Sequence, residues 1–521
     1  MPDAITQTMI APLALVPAIV LALLRPGKRP GNLPALAELA AFAAFGVTLV
    51  GLAQAMLGTP SGAALFDAPF TLALRADLVA ASLATLVGFI GWIVMRYSRT
   101  YLDGEAREGA FHGLMLTALA AVLVFVQAGT LPTLIIATIS VGLALKRLLL
   151  FYPDRPEAQR AATKFAAVWH TGDIMLVIAA ALLFARFGTL DLTALPAAAS
   201  VAGVGLAGTL GIAALVAAAA LKTAAFPLHG WLTEVMEAPT PVSALLHAGI
   251  INSGGVLLIT AAGLVQQSTG AMAALVMIGG FTALFGAAVM LTQSAIKTAL
   301  AWSTVSQMGF MLLQCGLGLW TLALLHIIAH SLYKAHAFLS SGTAVTEVAS
   351  IRRPGPVAVP SVAAVLKSFA LALAIFAAIA ASFTYAFGSK TPQALALGAI
   401  LIFGVAYLVA QGLADRAPVA LTKRTAAAAL AAAIGYFSFQ TLAQGIWGPV
   451  LPAAPRPTDL EWALLVVAVA SFGLVAFAQA LFPLWAHHPA AAGLRVHLAN
   501  GLYLNALLDR AIGGFRTATT R

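Results

Sequence analysis

The sequence predicts an all-α protein, a polytopic bundle of about fifteen transmembrane helices, some of them discontinuous. Three observations carry this. Of 521 residues, 61% are hydrophobic and only 9% charged, where a soluble domain is about half apolar and a quarter charged. Apolar runs of about 18 residues or more recur along the whole chain, each long enough to cross a hydrocarbon layer of roughly 30 Å as a helix. Prolines interrupt the apolar pattern near its centre, in AAFPLHGWL and EAPTPVS, as expected of helices broken at membrane depth. A single soluble core stops growing near about 250 to 300 residues. In water this chain would therefore expose large apolar patches.

The runs lie near residues 8–24, 35–57, 76–95, 110–128, 130–146, 165–186, 200–223, 241–264, 271–293, 298–316, 318–345, 360–386, 393–413, 425–447 and 461–483. The first lacks a basic stretch before it and meets Arg25, Lys28 and Arg29 beyond it, so it reads as a retained helix and not a signal peptide. Loops are short. The longest polar insert, 147–164 (RLLLFYPDRPEAQRAATK), reads as a solvated loop or surface helix, or as a docking surface for a partner. Residues 1–486 are read as the transmembrane domain, with its motif-bearing core at 222–345, and 487–521 as a cytoplasmic amphipathic segment. Within 491–516, Leu494, Val496, Leu498, Leu502, Leu504 and Leu507 alternate with polar residues. That pattern suits a helix lying in the bilayer interface or packed on a neighbour.

A formal charge of +10 invites a nucleic-acid reading, but the charges alternate between sides. Assigning loops in turn, 21 of the 28 Lys and Arg fall on one side. Arg75, Arg186, Lys390 and Arg456 fall on the other, and Lys222, Lys334 and Lys367 lie within spans. By the positive-inside rule the N-terminus is outside and the C-terminus cytoplasmic. Cys315 is the only cysteine, which excludes an intrachain disulfide and reads as a small buried hydrophobe.

Charged groups inside spans cost about 2.5 to 3.5 kcal/mol each on insertion scales and are functional candidates by default. Lys222 precedes Pro227 at a predicted helix break, and reads as an ion site at that break or as a lysine snorkelling to the interface. His247 falls about two turns inside the helix opened by Pro239 and Pro241. His326, His330 and Lys334 recur at i, i+4 and i+8, placing three titratable groups on one face of a helix at intervals of about 6 Å. Two histidines four apart also suit zinc, but neither an HExxH glutamate nor an acidic third ligand is nearby. Asp173, beside His170 in the sixth span, is placed to pair with a facing lysine, for structure or for transport.

Residues 222–345, with KTAAFPLHGWL, PTPVSALLHAG and HIIAHSLYKAH in order, closely resemble the antiporter-like subunits of respiratory complex I (the subunit L type) and of Mrp antiporters. The resemblance implies a polar axis through the membrane at Lys222, His247, His326, His330 and Lys334. Two departures stand out. Ile139 occupies the position of the glutamate that those relatives carry in the fifth span, which leaves Asp173 as a substitute or implies a different coupling. The twelfth-helix lysine motif is lost, with Lys367 and Lys390 as stand-ins. The shorter length, the missing glutamate and the FYPDRPEAQRAATK loop look most like the DabB type of membrane subunit.

That resemblance implies a non-enzymatic, proton- or cation-conducting subunit of an inorganic carbon (CO2 or bicarbonate) uptake complex in a bacterial inner membrane. Its implied partner is a large cytoplasmic subunit resembling a β-carbonic anhydrase. No cofactor is expected in this chain, and zinc only in the partner. The alternatives are a pumping subunit of complex I, of a membrane hydrogenase or of an Mrp antiporter, which would be a translocase only in complex I, and a non-conducting anchor for a partner.

Overall fold

In a computed structural model, residues 10–59, 61–64, 71–342, 361–412 and 419–511 are described. Among the described residues, the apolar runs fall almost wholly in helix. After a short 3-10 turn come α1 (Val16–Leu24), α2 (Leu33–Met56), a hairpin of β1 (Ser61–Ala64) and β2 (Ala73–Ala76), α3 (Leu78–Tyr101), α4 (Glu108–Val126), α5 (Leu131–Leu149) and α6 (Pro156–Phe187). The broken middle follows as α7 (Leu195–Ala202), α8 (Gly205–Lys222), α9 (Gly230–Glu234), α10 (Thr240–Ala248), α11 (Ser253–Thr260) and α12 (Ala262–Val265). Then come α13 (Thr269–Met290), α14 (Ile296–Gly316), α15 (Trp320–Leu339), α16 (Val362–Phe387), α17 (Pro392–Gly412), α18 (Val419–Trp447) and α19 (Asp459–Ala480). A tail of α20 (Phe482–Trp485), α21 (Pro489–Ala499) and α22 (Leu504–Ala511) ends the described chain.

Twelve segments among the described residues are long and apolar enough to cross a membrane. The stretch Leu13–Leu24 is shorter, as is the described part of α17, Pro392–Ala406. The third exception, α14, has the length of a span but carries Lys297, Ser303, Thr304, Ser306, Gln307 and Gln314. Of these, Ser303, Thr304 and Gln314 bond residues of the site described below. The protein is a multi-pass integral membrane protein.

Local chemistry sets many of the helix ends. Asp77 caps α3 through the Ala80 amide at 2.8 Å, and Ser361 caps α16 through Ala364. Thr458 and Glu461 form a capping box on α19. Proline stands at the first turn of α1, α2, α5, α6 and α10, where no amide hydrogen is missed. The insert at 147–164 is not a loop. Helix α5 runs to Leu149 and α6 begins at Pro156, so Arg160 and Lys164 are helical residues and the connection is only 150–155.

Alternate loops meet at two ends of the bundle, as the charge pattern required. At the basic end, Arg99 pairs with Glu38 at 2.5 Å, Arg107 donates to the carbonyls of Leu150 and Phe151 at 3.2 Å, and Lys297 donates to Thr240 at 3.1 Å. At the other, Arg75 pairs with Asp77 at 3.1 Å and donates to Thr260 at 3.2 Å, and Trp320 donates to Gln266 at 2.7 Å. Cys315 is fully buried in α14, as its chemistry suggested.

Candidate proton-relay site

Helix α8 ends at Lys222, and Ala224 takes a left-handed backbone (φ 51°) that turns the chain out of its axis. The stub α9 then returns against it. Trp231 on the stub donates its indole hydrogen to the Leu221 carbonyl at 3.3 Å, which also accepts from the Ala224 amide at 3.4 Å. Lys222 is fully buried, so it does not snorkel to the interface. Its ammonium donates to Asp173 Oδ1 at 2.6 Å and lies 4.1 Å from the centre of the Trp169 ring. Asp173 Oδ2 meets His170 Nδ1 at 2.8 Å, which gives the carboxylate a partner on each oxygen.

Asp173 thus stands opposite Lys222 where the resemblance placed a fifth-span glutamate. Ile139 on α5 brings no charge. Its neighbour Thr138 offers its carbonyl to the Trp169 indole at 3.0 Å, and Gly142 leaves the space that ring fills. The fifth helix therefore positions the aromatic face beside the lysine, while the acid comes from α6.

A second group forms around one turn of α14. Lys334, fully buried on α15, donates to the Leu300 carbonyl at 3.1 Å and to the Ser303 hydroxyl. Thr304 donates to the same carbonyl at 3.0 Å, and its oxygen meets His247 Nδ1 at 3.0 Å. With the threonine proton on Leu300, His247 donates from Nδ1 and leaves Nε2 as a bare acceptor. Its ring stacks on Phe338 at 4.3 Å. A hydrogen-bonded chain therefore runs from Lys334 through Leu300 and Thr304 to His247.

His247 is two turns into α10, as predicted, but that helix ends one residue later. Gly249 leaves helical geometry (φ −123°, ψ −74°), and a 3-10 turn over Ile250–Asn252 leads into α11. This second break was not predicted. It frees Asn252, which bridges the Ala248 carbonyl at 3.1 Å and the Ser331 hydroxyl at 3.0 Å on α15. Beside it lies a cavity of about 20 Å³ lined by Gly249, Asn252, Ser253, Ile327 and Ser331 among others, about the volume that one water needs.

The stripe on α15 is real but its members differ. His326 bonds Gln314 at 2.8 Å, and its ring centre is 5.9 Å from that of His330. Neither nitrogen of His330 has a hydrogen-bond partner among the described residues. Helix α11 packs on both α8 and α15, so it stands between the Lys222 pair and this stripe. Among the described residues no direct hydrogen bond joins the two groups.

Of the stand-ins further along, Lys367 is exposed on α16, while Lys390 is partly buried and donates to Thr441 at 3.2 Å. Neither joins the groups above.

Two buried charges escaped the sequence reading: Glu108, which accepts from the Arg29 and Gly104 amides at 3.1 Å, and Lys164. Lys164 is fully buried and bonded to Glu234 at 2.6 Å, Asp509 at 2.5 Å and Asn505 at 2.6 Å. Counted as a loop residue, it gave no signal, and its partners come from the broken stub and from α22. The C-terminal segment packs on the bundle. It breaks at Leu502 (φ 54°) and docks by Asn505 and Asp509, with Leu498 packed on the core while Leu494, Val496, Leu502 and Leu507 stay exposed. Residues 512–516 of that segment lie outside the described residues.

Residues 128–392 match the family described as NADH:quinone oxidoreductase/Mrp antiporter, TM. The chain is 36% identical over 485 residues to the probable inorganic carbon transporter subunit DabB2 of Halothiobacillus neapolitanus, covering 90% of this chain and 86% of that one. It is 35% identical over 337 residues to the NADH-quinone oxidoreductase subunit L of Mycobacterium tuberculosis, covering 61% of this chain and 52% of that one. Its fold is that of the Mrp complex from Dietzia sp. DQ12-45-1b, with a TM-score of 0.64 at 22% identity over 98% of this chain and 60% of that one. On these matches the chain belongs to the NADH:quinone oxidoreductase/Mrp antiporter transmembrane family and is of the DabB type over most of its length.

Proposed function

We propose that this chain is the proton-conducting subunit of an inorganic carbon uptake complex, with Lys222, Asp173, His247, His326, His330 and Lys334 as the relay. The observation that carries the reading is the pairing of two fully buried lysines with carboxylate, hydroxyl and carbonyl oxygens, one at the break of α8 and one on the continuous α15, with α11 packed on both helices. Burying such charges is costly, and Lys222 holds a proton that the Asp173 carboxylate can accept. Asp173 takes the counter-charge role at Lys222. Lys334 and His247 flank the Thr304 turn, and transfer between them runs over water, because the Leu300 carbonyl accepts from both Lys334 and Thr304 and passes no proton on. His330 and His326 extend the line along α15.

The similarity to a DabB subunit supports inorganic carbon as the purpose of the flux and a carbonic-anhydrase-like, zinc-bearing cytoplasmic subunit as the partner. The basic end of the bundle is then the cytoplasmic face of a bacterial inner membrane, with the N-terminus outside and the C-terminus inside. Purification of the tagged chain from its native membranes is expected to bring down one large zinc-containing subunit. A chain that co-purifies instead with quinone-reductase or antiporter subunits would place it in the other machine.

The relay is tested in proteoliposomes holding a pH dye, under an imposed membrane potential. Lys334→Ala is expected to lower proton flux at least about a hundredfold, the lower end of the range that a lost proton-transfer group costs. Flux equal to that of the parent chain at equal insertion would remove Lys334 from the path.

A further inference from the structure

We propose that His229, Lys164 and Glu234 form a proton port at the basic end of the bundle, roofed by the C-terminal segment. The port passes protons between water and the Lys334–His247 group, and it rests on the conducting role proposed above.

The three residues grade from wet to dry. The side chains of Glu234 and Asp509 keep 27% and 13% of their exposure, whereas Lys164 is fully buried beneath them. Asn505 ties the layer together by donating to Glu234 and accepting from Lys164. Gly230 is required here, because any side chain would collide with the Asn505 amide. His229 lies one layer further in. It is 1% exposed and within electrostatic reach of Lys164. Neither ring nitrogen has a hydrogen-bond partner among the described residues. A buried imidazole without partners is costly unless something else satisfies it.

The position of that ring gives the port its direction. His229 lies 4.9 Å, centre to centre, from Trp302, and the residue after Trp302 is Ser303, which accepts from Lys334. The imidazole therefore packs on the same turn of α14 that holds Lys334 and His247 on another face, with the water-touching carboxylates on its outer side. Above it, Gly501 (φ 56°) passes so close that its missing side chain would lie 3.9 Å from Nε2. The C-terminal segment thus covers the imidazole from the water side and leaves Glu234 and Asp509 as the groups that meet solvent.

The rival role for His229 is to fill the aromatic box of Phe226, Phe285 and Trp302. His229→Phe keeps the box filled and cannot carry a proton, while His229→Ala opens room for added imidazole. Proton flux is measured in the same proteoliposomes with the full chain. The port requires both variants to lose at least about a hundredfold, and millimolar imidazole to restore flux severalfold in His229→Ala and not in His229→Phe. His229→Phe conducting within twofold of the parent overturns the proposal, as does a loss in His229→Ala that imidazole leaves unchanged. If His229→Phe fails to insert, the alanine variant and its imidazole response decide alone. Loss in Lys334→Ala with full flux in both His229 variants leaves the relay standing and removes the port, whereas a parent chain that conducts nothing overturns both.

Discussion

Replacing Lys222 by alanine is expected to destabilise the protein by about 3 to 5 kcal/mol and to abolish proton flux, because it leaves Asp173 charged in a buried site. The pair is tight and dry: 2.6 Å between the charged atoms, Lys222 fully buried and the Asp173 side chain 6% exposed. Removing either partner deprives the other of its counter-charge, so Asp173→Asn should fall in the same direction. It should fall less far, since an amide is neutral and still accepts from Lys222 and bonds His170. The informative variant is the double replacement Asp173→Leu with Lys222→Met. An apolar pair of similar volume removes both desolvation costs, and such exchanges are often neutral or stabilising. Thermal unfolding in detergent, followed by tryptophan emission, should therefore show the double variant recovering most of the stability lost by Lys222→Ala. Conduction should not recover, because the buried ammonium and carboxylate are both gone and His170 alone, a third exposed, has lost the carboxylate it bonds. Conduction by the double variant would show that protons pass elsewhere. A double variant no more stable than Lys222→Ala would show that the two charges do not interact as their geometry requires.

The spans were legible because lipid enforces long apolar runs, and the first break because Pro227 stands four residues after Thr223. The break at Gly249 was not, since glycine in an apolar run gives no stop signal of its own. Its cause is tertiary: Asn252 finds Ser331 on a helix some eighty residues away in sequence. Asp173 was found because one carboxylate in an apolar run is conspicuous, yet only the packing of α6 on α8 identifies Lys222 as its partner. Thr304, Ser303 and Asn252 escaped because single hydroxyls and amides are common in spans and carry no spacing. Lys164 was misread for a related reason. It closes a run of charges, and an ammonium there looks solvated until α22, 341 residues beyond it at Asn505, folds over it. His229 lay inside a recognised motif but between aromatics, and nothing in the linear pattern shows that both its nitrogens lack partners.

Gly309→Val is expected to cost more than about 3 kcal/mol, the upper end of the range for overpacking, and to stop conduction although Gly309 touches no charged residue. Helices α13 and α14 run against each other through glycines. A side chain at Gly309 would strike the backbone of Ala283 and Gly279, one at Gly286 the backbone of Ser306, and one at Gly316 the backbone of Val276. Small residues allow such close approach, and in lipid that packing replaces the hydrophobic drive between helices. The obstacles are backbone atoms, which cannot swing aside, so valine forces the helices apart. Helix α14 carries Leu300, Ser303 and Thr304, the three partners of Lys334 and His247. Hydrogen bonds weaken steeply with distance and angle, so a small displacement of α14 breaks both links. The control is Gly280→Val on the facing helix α13, where an added side chain meets nothing within 4 Å. That change should leave stability within about 0.5 kcal/mol and flux unchanged. If Gly309→Val conducts as well as Gly280→Val, the hold of α14 on Lys334 and His247 is not what permits transfer. If instead Gly309→Val inserts and stays folded but no longer conducts, the helix spacing itself sets the proton path. The polar residues of α14 are then placed by glycines that no charge pattern in the sequence reveals.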